Sequence, residues 1–163
     1  VTAQVSERLN YQGKKYNLCE EPLAGLLVYA RLPVTLSSPS TALWRGYVGE
    51  WTIEADRLYL TGITGHVRTA EDWRTANLAE LFPGFPNGLF AHWYTGELRV
   101  PMGRLLSYRH AGFASVTEFD LFLRFERGVF KERRMVTNGQ ASAASPAGYQ
   151  VGAATFFPGG RDE

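Results

Sequence analysis

The clearest periodicity in the chain lies between Thr117 and Phe125. Odd positions read Thr117, Phe119, Leu121, Leu123 and Phe125, and the even ones read Glu118, Asp120, Phe122 and Arg124. A period of two sends alternate side chains to opposite faces, which predicts a strand with one buried and one wetter side. The chain then turns at Glu126-Arg127-Gly128 and runs on to Arg133, giving a predicted hairpin over residues 119–133. A second hairpin is predicted over 49–60. There Trp51 and Ile53 alternate, Leu58 and Leu60 answer them, and Ala55-Asp56 supplies the turn. A third covers 8–18 and turns at Gly13, whose missing Cβ permits the positive φ of a tight turn. Residues 89–100 read as one strand and 105–110 as a neighbour of it. Gly62 to Gly65 reads as a turn between strands, and His66 as a loop residue.

Helical patterning is weaker. Glu20-Glu21-Pro22 ahead of Leu23, Leu26, Leu27 and Ala30 predicts a short helix with acids and proline at its start. Thr69 to Asp72, leading towards Trp73 and Leu78, has the form of a capping box, and Pro83 and Pro86 stop any helix beyond it. Residues 37–40 form a loop. Between 137 and 148 the chain becomes small, polar and unpatterned, with too little apolar surface to offset the entropy of ordering. The expected organisation is a single mainly-β domain over residues 1–136. Its antiparallel sheet or sheets form a sandwich or partly open barrel, with one or two short helices. A flexible low-complexity tail follows over 137–163, with a possible docking segment at 149–157.

Composition supports this and narrows the function classes. At 163 residues the chain fits one domain able to bury a core, and its 13% aromatic content favours strands. Seventeen Lys plus Arg against 16 Asp plus Glu leaves no basic excess of the kind a nucleic-acid binder carries. The densest basic cluster, Lys131, Arg133 and Arg134, is interrupted by Glu132 and reads as a solvated strand end. Cys19 is the only cysteine, which argues for a reducing, cytoplasmic setting over a disulfide-built secreted domain. The apolar stretch from Leu23 to Ala30 is far short of the ~20 residues of a membrane span. No membrane or nucleic-acid partner is expected. No phosphate cradle, paired-cysteine metal motif or nucleophile elbow occurs, so neither a cofactor nor a metal is expected.

Two blocks carry a resemblance: Trp44-Arg45-Gly46-Tyr47 with Trp51, and the stretch from Trp93 to Arg99 continuing through Tyr108, His110, Gly112, Ser115, Glu118 and residues 120–123. In these the chain resembles a family of small uncharacterised bacterial proteins, over about residues 11–131. The resemblance implies a bacterial, cytoplasmic origin and brings no activity with it.

The polar block is where chemistry would gather. If its strands are neighbours, His92, His110, Glu118 and Asp120 converge, and such a set suits general acid–base work or a divalent metal. The competing reading is an exposed sheet face, with Glu118 or Asp120 paired to Arg99, Arg109 or Arg124, and the loose spacing favours it. Trp44, Tyr47, Trp93, Tyr94 and Tyr108 are candidate ligand-binding aromatics, although large aromatics more often fill a sheet's core. The leading expectation is a non-enzymatic module that binds another protein, such as a bacterial accessory or immunity-type protein. A small-ligand or carbohydrate-binding β domain is the alternative, and a hydrolase-like enzyme built on the four polar residues comes third.

Overall fold

A computed structural model describes residues 2–140 and the backbone of 150–151 and 154–155. Hairpins dominate it because three tight turns are locally encoded. Strand β1 (Glu7–Tyr11) pairs antiparallel with β2 (Lys14–Leu18), β3 (Tyr47–Glu54) with β4 (Arg57–Arg68), and β8 (Val116–Glu126) with β9 (Val129–Thr137). Each connection has two central residues at positive φ: Gln12-Gly13, Ala55-Asp56 and Arg127-Gly128. That is the turn whose twist matches the twist of the flanking strands.

These hairpins and β7 (Gly96–Ser107) form one sheet in the order β2-β1-β3-β4-β9-β8-β7. Two short strands, β5 (Trp73–Ala76) and β6 (Leu89–Phe90), pair along β4, giving nine strands that do not close into a barrel. The ends of the order still meet through one backbone bond, from Cys19 N to Arg99 O at 2.9 Å. The sheet is antiparallel as expected, except that β1 and β3 run parallel. Parallel neighbours need a long crossover, and residues 19–46 provide it, carrying the short helix α1 (Ala24–Leu27). Leu9, Leu18, Trp51, Leu58, Leu60, Leu98, Leu121, Leu123 and Phe125 are fully buried, so the predicted apolar faces point inward; Ile53 and Phe119 are half-buried.

Four local readings change. Residues 89–100 are two strands, β6 and β7, with a turn between them. That turn folds over the β8–β9 hairpin, where Gly128 N donates to Tyr94 O at 2.7 Å. Strand β7 continues to Ser107, so 105–107 extend it and are not a separate neighbour. Residues 62–65 and His66 lie inside β4, where Gly62 to Gly65 pair in register with Glu50 to Tyr47 and the bulge falls just before them, at Thr61. Thr69 caps no helix: its hydroxyl accepts from Asp72 N and closes the turn into β5. The helix there is α2 (Leu78–Leu81), capped by Asn77 Oδ1 accepting from Glu80 N at 3.0 Å. At the far end, Thr137 closes β9, and Asn138 is bonded to Thr117 and Asp120. Residues 150–151 and 154–155 pair as β10 (Gln150–Val151) and β11 (Ala154–Thr155). The expected mobility of the tail and its docking segment otherwise fall outside the described residues.

Candidate functional site

The polar block does not converge. His92 sits in the turn between β6 and β7, edge-on to Trp93 with ring centroids 5.5 Å apart, and is exposed. His110 lies beyond the end of β7, its Nδ1 3.1 Å from the Tyr108 hydroxyl. Glu118 accepts from Arg104 N at 2.8 Å, beside the irregularity that bends β7. Asp120 accepts from Arg99 Nη1 at 3.1 Å and Asn138 Nδ2 at 2.8 Å, while Arg99 also donates to Phe113 O. Among the described residues no group of three His, Cys, Asp or Glu is placed to hold a metal. The outer face of β7–β9 is instead laced with ion pairs: Arg99–Asp120, Arg134–Glu97 and Arg124 with Glu126 and Glu132.

The aromatic candidates are dispersed. Tyr47 is buried under the Arg45 guanidinium, 5.4 Å from its ring centroid. Trp93 packs edge-on against Trp51 and donates its indole N–H to Pro22 O at 2.7 Å. Tyr94 packs on Phe125 and donates to Glu97 O. Trp44 is 64% exposed, with no ring contact among the described residues. These rings are therefore mostly core and clasp elements and form no shared platform.

A polar centre that the sequence reading missed is built around Glu7. The alternation Val5, Glu7, Leu9 puts this carboxylate on the inward face of β1, where it is fully buried. Its Oε2 accepts from Arg45 Nε at 3.1 Å, Arg45 Nη2 at 2.8 Å and Gly49 N at 2.8 Å; its Oε1 accepts from Trp51 Nε1 at 2.8 Å. Only glycine fits at position 49, since a Cβ there would lie 2.5 Å from Oε1 of Glu7. Burial pushes the Glu7 carboxyl above its ordinary value, against the pull of Arg45, Trp51 and Gly49. Burial and the Glu7 charge also push the Tyr47 hydroxyl far up. Arg45 Nη2 donates further to Val5 O, and Nη1 lies 3.9 Å from Glu21. Both carboxylate oxygens are engaged by protein donors, so the centre fastens β1 to β3. Cys19, also buried, has its thiol pushed up to about 12 by desolvation and is a poor nucleophile.

The surface offers a different kind of site. Residues 30–33 and 81–85 line an open groove of about 370 Å³ whose walls are apolar except for Arg31. Val28 and Tyr29, 79% and 73% exposed, lead into one wall, and Phe85, 50% exposed, lies on the other. Comparison of the chain with protein-family models, curated proteins and solved structures gives no match in any of the three.

Proposed function

We propose that the chain is a non-enzymatic protein-binding module whose contact surface is this groove. The observation that supports it is a concave, largely apolar groove that includes the half-exposed Phe85, with exposed Val28 and Tyr29 directly preceding its lining residues in the chain. Folded monomers rarely leave such side chains clustered in water without an occupant, and aromatic anchors seated in grooves carry most of the energy of protein interfaces. Two of the polar candidates favour the same reading, because Asp120 and Glu118 are committed to bonds inside the fold.

The test is photo-cross-linking through benzoylphenylalanine in place of Tyr29, followed by reconstitution of the captured complex from purified components. Tyr29→Asp and Phe85→Asp are each expected to weaken that complex at least about tenfold, or ~1.4 kcal/mol, with unchanged melting temperature. Equal affinity in both variants would remove the groove from the interface. Turnover of any substrate by the purified chain would refute the non-enzymatic part.

A further inference from the structure

A second surface is carried by the seam of the sheet. Strand β9 pairs with β8 from Val129 to Thr137, with Lys131 as the extra residue of a bulge, but its other edge meets β4 only at Arg57 opposite Val129. Beyond that point β4 is already paired with β6 and β5. From residue 131 onward the outer edge of β9 therefore has no strand partner among the described residues. Its inner side is open as well. Arg133 lies opposite Leu123 and Met135 opposite Leu121, so both share the face of fully buried neighbours, yet both are exposed. Residues 131–136 span roughly 20 Å at ~3.3 Å per residue, enough for a strand to add.

The charges choose what adds. Glu132 is paired with Arg124 and Arg134 with Glu97, whereas Lys131 and Arg133 make no ion pair among the described residues. Charges on an edge ordinarily keep it from pairing. Here they count against a second copy, since antiparallel self-pairing centred on Arg133 sets that arginine opposite itself, while Glu132 and Arg134, which would face each other, are already engaged by Arg124 and Glu97. An acidic strand meets the opposite condition. We infer that the β9 edge is a strand-addition site for an extended, acidic segment of a partner protein. This inference is independent of the groove.

A phage-displayed library of random twelve-residue peptides, selected on the full chain, tests it. The expected winners carry Asp or Glu at alternate positions, and a synthesised winner slows amide hydrogen exchange at residues 131–136. Combining Lys131→Glu with Arg133→Glu, both at exposed positions, should weaken that peptide at least about tenfold. The same variant should select Lys- or Arg-bearing peptides instead, which also shows that it is folded. Phe85→Asp should leave the acidic peptide bound, which separates this edge from the groove. Winners without alternating acids, or protection confined to other segments, would overturn the inference. So would the recovery of no binder, the result expected if the chain's own residues or a second copy occupy the edge.

Discussion

Replacing Glu7 by glutamine keeps the shape of the side chain and removes only its charge and half of its accepting capacity. Whichever way the amide turns, its NH₂ faces a donor. At the Oε1 position it meets the Trp51 indole N–H, and at the Oε2 position it meets the Arg45 guanidinium and the Gly49 amide. Arg45, with a side chain 8% exposed, then keeps a buried charge whose nearest carboxylate is Glu21, 3.9 Å from its Nη1. Taking both charges out of water offsets most of their mutual attraction, so the intact pair contributes little net. Breaking it from one side is costly, because the other charge stays buried, and such losses run to about 3–5 kcal/mol. Glu7→Gln should therefore lower unfolding stability by that amount, read by urea titration at constant slope. Combining it with Arg45→Met should cost at least about 2 kcal/mol less than the sum of the two single changes. The amide oxygen then still takes one donor, and its NH₂ no longer faces a guanidinium. A loss under about 1 kcal/mol for Glu7→Gln, or simple additivity in the double variant, would refute an ionic pair and show that the carboxyl is protonated in the fold at neutral pH.

Three further outcomes follow from particular residues. Ala55 sits at φ 51° in the β3–β4 turn, so Ala55→Gly should raise stability by about 0.5–1 kcal/mol in thermal unfolding, and a loss would mean that the turn is unstrained. The buried Cys19 thiol should react with Ellman's reagent at pH 8 only as fast as the protein opens, and rapid labelling of the folded chain would contradict its burial. Arg134 holds the Glu97 carboxyl below its ordinary value, so the pair stabilises the fold above that value and the contribution is lost as pH falls through the lowered one. Wild type and Glu97→Gln should accordingly converge in stability towards acid pH, with a gap at neutral pH that shrinks in high salt, and parallel profiles would count against the pair.

The hairpins were legible because their information is local: a period of two, and turns that tolerate positive φ. The break at residues 91–95 was not, since the apolar run from Leu89 to Trp93 continues smoothly into Gly96–Val100 in sequence. What splits it is a contact with Gly128, far along the chain. The polar block was weighed correctly in one respect, the pairing of Asp120 with Arg99. Its convergence failed because His92 lies on a turn and His110 past a strand end. Glu7 was missed because a glutamate between Ser6 and Arg8 looks solvated, and its partner Arg45 lies 38 positions away. The available signal was its place in the apolar register between Val5 and Leu9. Exposure of Val28, Tyr29 and Phe85 carries no sequence signal at all, since an exposed and a buried aromatic are spelled alike.

The thin joint between β4 and β9 also bears on how the chain acquires its structure. On one side of it lie β1 to β4, on the other β7 to β9, and within each group most neighbours are hairpin-linked. Such short-range pairings close small loops at low entropic cost and form early, while the joint, the Cys19–Arg99 bond and the parallel β1–β3 contact each close a long loop. The late step in folding is then the docking of preformed hairpins across a shared apolar interior that includes Leu58 and Phe125.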